Sequence, residues 1–198
     1  MKEKILNKAA DLFLSFGFKS VTMDDIASSL GMSKKTIYSH YPTKRKLVHD
    51  TTFHVFEQIN DGICQICAGH ENPVKELYEI KSLVMEQLKG EKTSPHYQLQ
   101  KYYPKIFSTL KQKQFRSISQ CVSENLRRGM EQGYYRKDLD VELMTKFYLN
   151  GNLGLMNIDI FPVQQFEMGD LKAAYLEYHI RAIATEKGIE ILQTLLEK

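Results

Sequence analysis

Between Thr22 and Pro42 the chain carries two helix starts, a stop between them and a break after them. Thr22 can cap a helix with its hydroxyl while Asp25 sits at the capping-box position. Ile26, Ala27 and Leu30 form the apolar side of that helix, and Gly31 stops it. Ser33 then caps another helix that runs to about Tyr41, where Pro42 forbids continuation. Two short helices meeting across Gly31-Met32-Ser33 make a helix-turn-helix.

The neighbouring segments extend the helical reading. Ile5, Ala9, Leu12, Phe13 and Phe16 recur at helical spacing, with Gly17 ending the run and Phe18 free to fold back on the same side. Thr43 can cap a much longer helix bearing Leu47, Phe53, Phe56, Ile59, Ile63 and Cys67 along one side. Beyond Gly69 further helices are predicted, opened by Pro73 (ending near Gly90) and by Ser94-Pro95. One more spans Ile106 to Gln132 and is ended by Gly133. Asp140 caps a helix through the Asn150–Asn157 region, and Asp170 starts a final long element that Thr185 restarts after a bend and Gly188 weakens. No strand, repeat or low-complexity tract stands out, so the expected fold is all-α. The expected domains are a helix-turn-helix domain over 1–46 and a larger helical domain over 47–198.

Composition sets the class. Hydrophobic residues make up 42% and charged residues 26%, enough to bury a core. The N-terminus lacks the apolar run of a signal peptide, no stretch approaches a membrane span, and three cysteines are an odd number for a secreted disulfide framework. A cytoplasmic protein with no membrane partner is expected. Residues 1–50 hold nine Lys/Arg against five Asp/Glu, a balance of +4, while residues 51–198 hold eighteen against nineteen, a balance of −1. The excess positive charge therefore sits where the helix-turn-helix sits, as a polyanion-binding segment requires; a merely solvated basic face is the bland alternative.

On the second helix of the motif, Ile37 and Tyr41 share the inward side, at about 100° per residue. Lys35, Thr36 and Ser39 point the opposite way, and Tyr38 and His40 occupy the flanks. No acidic residue occurs from Met32 to His49. A short polar face that donates hydrogen bonds suits entry into the major groove of double-stranded DNA, and Lys44, Arg45 and Lys46 stand at a helix start, where phosphate is favoured.

The run Thr22-Met-Asp-Asp-Ile-Ala-Ser-Ser-Leu-Gly-Met-Ser-Lys-Lys-Thr-Ile-Tyr-Ser-His-Tyr-Pro-Thr-Lys44, followed by Leu47, resembles the DNA-binding domain of the tetracycline-repressor (TetR) family. Ile5 to Gly17 is similar to that family's first helix, and the resemblance covers about residues 3–50. It implies a phosphate contact at Thr22, base and phosphate contacts at Lys34, Lys35, Thr36, Ser39 and His40, and phosphate contacts at Tyr38 and Lys44. Tyr41 stands where Phe is frequent and Lys35 where a small residue is frequent; Lys35 adds charge and reach, so its base preference does not transfer. The resemblance further implies a homodimer, repression of a promoter bearing an inverted-repeat operator, a small-molecule effector and no catalytic cofactor. It places the helix containing Gly151 and Gly154, and the last long helix with Leu171, Ala174, Tyr175 and Tyr178, in a four-helix dimer interface.

Met85, Tyr102, Tyr103, Phe107, Phe115, Met144 and Tyr148 are candidates for lining an effector pocket; core packing is the competing account for each. For the two glycines, close helix approach competes with a kink. Cys64 and Cys67 with His70 invite a metal or redox reading, but no second ligand pair follows at zinc spacing and Cys121 is distant in sequence. No nucleophile elbow, phosphate loop or Asp/His cluster is present, so a DNA-binding regulator is expected rather than an enzyme. The rival reading is a helical small-molecule-binding or enzymatic protein with an incidental helix-turn-helix.

Overall fold

The computed structural model describes residues 1–69, 72–89 and 94–197. Those residues form ten α-helices and no strand, with one isolated bridge between Tyr135 and Ala184. The helices are α1 (Lys2–Phe16), α2 (Met23–Ser29), α3 (Lys34–His40), α4 (Lys44–Gly69) and α5 (Pro73–Gln87), then α6 (Pro95–Tyr102), α7 (Pro104–Glu131), α8 (Val141–Gly154), α9 (Met168–Ile183) and α10 (Glu186–Leu196). Gly90, the expected end of the fifth helix, lies outside the described residues.

The helices sort into two packing units that are not contiguous in sequence. The first comprises residues 1–59 and 87–112, the second 60–86 and 113–198. In the first, Ile5, Ala9 and Phe13 of α1 meet Ile26 of α2, Ile37 of α3 and Leu47 and Val48 of α4. Leu99 of α6 and Ile106 and Leu110 of α7 complete this core. Phe16 departs from expectation: it is 65% exposed, because the buried face of α1 follows Ala10 and Leu14 round the helix instead. Gly17 takes φ 87°, a conformation that favours glycine, and Phe18 returns to stack on Phe13 at 5.1 Å between ring centroids.

The second unit is built on Val74 and Leu77 of α5, Val122 and Leu126 of α7, Leu176, Ile180 and Ile183 of α9, and Leu192 of α10, around a fully buried Tyr135. Asp140 caps α8 by accepting from Leu143 N, and Thr185 caps α10 by accepting from Gly188 N. Helix α9 begins two residues earlier than the Asp170 start expected from sequence. Gly188 does more than weaken α10: a Cβ there would collide with the Tyr134 carbonyl oxygen. Likewise a Cβ on Gly129 would overlap the Tyr135 ring, so glycine lets that ring lie flat on α7.

Beneath Tyr135 lies a polar cluster. Its hydroxyl donates to Asn125 Oδ1 at 3.0 Å, and Asn125 Nδ2 donates to Pro73 O and Glu76 Oε1, each at 2.9 Å. The Glu76 side chain is fully buried, and Arg128 Nη2 reaches both its oxygens at 2.7 Å. A buried carboxylate survives only with such compensation.

Candidate nucleic-acid interface

The interface is assembled by caps. Thr22 Oγ1 accepts from Asp25 N at 3.1 Å, and the Asp25 carboxylate accepts from Thr22 N at 2.8 Å, a complete capping box. The Thr22 backbone and hydroxyl, donating to that carboxylate, hold the Asp25 carboxyl below its ordinary range. Gly31, at φ 63°, closes α2: its N–H bonds Ser28 O while Met32 N–H bonds Ala27 O. This paired ending re-aims the chain within three residues. Ser33 Oγ accepts from Thr36 N at 3.1 Å and starts α3. Ile37 and Tyr41 are buried beneath α3, anchoring it on α1 and α2.

The opposite face of α3 is open. Lys35 is exposed and has no ion-pair partner among the described residues. Tyr38 is exposed, and His40 and Thr36 are half-buried. Ser39 Oγ donates to Thr36 O at 2.8 Å, and Thr36 Oγ1 shares a hydrogen bond with Ser33 Oγ at 2.8 Å, so both hydroxyls are held in place before any ligand arrives. Lys34 is tied differently from the rest: its Nζ lies 2.9 Å from Asp24, with both side chains well exposed. That pair raises the Lys34 ammonium pKa; at such exposure it is weak enough for phosphate to compete.

Lys44 is half-buried, and its Nζ donates to Lys19 O at 3.2 Å. Burial lowers its pKa. A bonded ammonium at the N-terminus of α4, which Thr43 caps through Lys46 N, is a fixed positive charge rather than a swinging one. Arg45, Lys46 and His49 line an open cleft with Lys105 of α7. Sequence reasoning misses Lys105, since 59 residues separate it from Lys46 and only packing brings it alongside. The seven pocket candidates divide: Tyr103 and Phe107 pack on the first unit's core, and Met144 and Tyr148 on the second's. Met85 is half-buried, while Tyr102 and Phe115 are exposed.

Among the interface candidates, a Cβ on Gly151 would overlap the Tyr175 hydroxyl, which donates to Phe147 O and Tyr148 O at 3.1 Å each. Close approach is thus the account for Gly151; nothing crowds Gly154. Leu171 is half-buried, Ala174 exposed and Tyr178 70% exposed. His70 lies outside the described residues. Cys121, distant in sequence, has its sulfur 3.7 Å from that of Cys67.

A capped helix-turn-helix whose second helix, α3, presents a basic and hydroxyl-bearing face with no acidic residue of its own fits the DNA-binding class. A family model for bacterial regulatory proteins of the tetR family matches residues 5–51. The HTH-type transcriptional repressor KstR2 of Mycobacterium tuberculosis is 24% identical over 151 residues, covering 73% of this chain and 74% of that one. The biofilm operon icaADBC negative transcriptional regulator IcaR of Staphylococcus aureus is 33% identical over 63 residues, 32% of this chain and 34% of that one. A putative transcriptional regulator from Saccharomonospora viridis, solved in complex with choline, shares the fold with a TM-score of 0.74 at 18% identity, covering 93% of this chain and 98% of that one. Residues 5–51 thus match the tetR family of bacterial regulatory proteins, and the chain as a whole shares the helical fold of solved transcriptional regulators. No described helix is long and apolar enough to cross a membrane.

Proposed function

We propose that the protein is a homodimeric repressor that occupies an inverted-repeat operator and leaves it when a mostly apolar small molecule binds. The carrying observation is the α3 face: Lys35 and Tyr38 exposed, Thr36 and Ser39 fixed by internal hydrogen bonds, and Ile37 and Tyr41 buried behind them. Residues 1–46 make the DNA contacts, Lys35, Thr36, Ser39 and His40 reading bases while Thr22, Lys34, Tyr38 and Lys44 hold phosphates. Residues 47–198 dimerise and sense. KstR2 and IcaR, each named for negative control of transcription, support repression; the choline bound to the Saccharomonospora viridis regulator supports a small ligand.

Dimerisation is assigned to α8 and α9. Leu143 and Phe147 of α8 are 44% and 58% exposed, and Ala174 and Tyr178 of α9 are exposed beside a core already filled by Leu176 and Ile180. Apolar surface of this kind favours a self-complementary two-fold contact that also includes Gly151, Gly154, Leu171 and Tyr175. The effector residues are placed at Met85, Met144 and Tyr148, the candidates that share one packing unit and are half-buried. The test is a mobility shift on DNA from upstream of the protein's own gene, against unrelated DNA of equal length, alongside sedimentation at micromolar concentration. Selective retardation by a dimer is expected. A monomer, or equal affinity for both DNAs, overturns the reading.

A further inference from the structure

Helix α7 places Cys121, Asn125 and Arg128 at i, i+4 and i+7, on one face. Asn125 and Arg128 serve the buried Glu76 carboxylate, while Cys121 meets Cys67 of α4 at 3.7 Å between sulfurs. Cys67 also donates its S–H to Glu76 Oε1 at 3.8 Å. Ligand atoms of Cys67, Glu76 and Cys121 lie within 4.8 Å of one another, which alone would suit a metal ion. Arg128 decides against it: its guanidinium holds both carboxylate oxygens and would face the cation. Two thiols in van der Waals contact on different helices, beside an occupied carboxylate, suit oxidation instead.

We propose that Cys67 and Cys121 are an oxidisable thiol pair, a modification site at which a hydroperoxide ties α4 to α7 through a disulfide and thereby changes operator affinity. The regulatory half rests on the DNA-binding function proposed above. Cys67, on which burial weighs less than on Cys121 and whose thiolate the Arg128 charge favours, reacts first. Its thiol gives up a proton and the thiolate attacks one peroxide oxygen. The O–O bond breaks, one water leaves with hydrogen peroxide as oxidant, and Cys67 becomes a sulfenic acid. The deprotonated Cys121 sulfur then attacks the Cys67 sulfur, the S–O bond breaks, and a second water leaves. Two thiols have lost two electrons and the peroxide has gained them.

Burial pushes both thiols above their ordinary pKa, Cys121 further, so the thiolate is scarce at neutral pH and the reaction is slower than at an exposed thiol. Bonding must draw the sulfurs from 3.7 Å to about 2.05 Å, a closure of about 1.65 Å, and removes the hydrogen that Cys67 donates to Glu76. One of the two helices so tied is α4, which begins with Lys44.

The full-length protein is treated with hydrogen peroxide, its remaining thiols are blocked, and linked peptides are mapped without reduction. The same samples are titrated with operator DNA before and after a dithiol reductant. A Cys67–Cys121 peptide is expected, with a reversible change of about five- to 150-fold in operator affinity. Cys64→Ser should keep both effects, and Cys67→Ser and Cys121→Ser should each abolish both. Oxidation confined to Cys64, or thiols shielded until a chelator is added, overturns the thiol pair. A linked peptide with unchanged operator affinity overturns its regulatory role. If the reduced protein binds no DNA, the functional reading fails separately, and the peptide map still decides the chemistry.

Discussion

Replacing Arg128 with Met should be among the most destabilising single changes available in this chain. Glu76 is fully buried and takes two 2.7 Å hydrogen bonds from Arg128 Nη2, its one cationic partner among the described residues. Removing one member of a buried ion pair costs about 3–5 kcal/mol, because the other charge stays desolvated. Asn125 still donates to Glu76 and Arg128 is itself 30% exposed, so the lower end, about 3 kcal/mol, is expected. For a chain of this length that is a fall of about 6–12 °C in Tm. Glu76→Gln in the same background removes the stranded charge and should recover about half of the loss or more. Urea unfolding followed by circular dichroism, at fixed protomer concentration, measures all four corners of the double-mutant cycle. A cost below about 1 kcal/mol for Arg128→Met, or no recovery in the double variant, would refute the claim that this pair is a structural keystone of the second unit.

Three further outcomes follow from local geometry. Thr22→Ala removes one half of a complete capping box and should cost about 0.5–2 kcal/mol in urea unfolding, while Thr22→Ser should cost less. His179 is buried against Tyr148, and burial depresses its pKa to about 4 from 6.5, so the folded protein keeps the ring neutral. The unfolded chain then binds the extra proton, and stability falls as pH drops from about 6.5 toward about 4, by about 3 kcal/mol in all. His179→Phe should flatten the pH dependence, and an unchanged profile would remove His179 from the account. Gly151→Leu should displace Tyr175 and shift sedimentation toward monomer, whereas Gly154→Ala, with open space around it, should leave folding intact.

What could be read from the residues was whatever short-range chemistry decides. The capping pair Thr22/Asp25, the stop at Gly31, the cap at Ser33 and the anchors Ile37 and Tyr41 all act within a few positions, and each recurs in the fold as read. Phe16 misled because apolar spacing alone does not say which edge of a stripe the core ends on. Glu76 and Asn125 gave no warning of burial, since each looks like a solvated helix residue until its partner, 49 positions away, is known. The pairing of Cys67 with Cys121 across 54 residues was hidden for the same reason, although Cys121, Asn125 and Arg128 do share one helical face. The Cys64–Cys67 spacing drew attention to the nearer cysteine instead. The ion pair of Lys34 with Asp24 was equally invisible, because it depends on how α2 and α3 cross.

The central claim is that α3 reads bases while Lys44 holds phosphate, and one measurement separates those roles. Affinities of the unmutated protein, Lys35→Ala and Lys44→Ala are determined on a randomised operator library at several salt concentrations. Lys44→Ala should weaken binding to every sequence alike and reduce the slope of log affinity against log salt by about 0.9 for each phosphate that a subunit no longer neutralises. Lys35→Ala should relax preference at particular positions of each half-site, at about 1–3 kcal/mol per position, and leave the remaining positions unchanged. Uniform loss across the library for Lys35→Ala, with no position relaxed, would contradict the account.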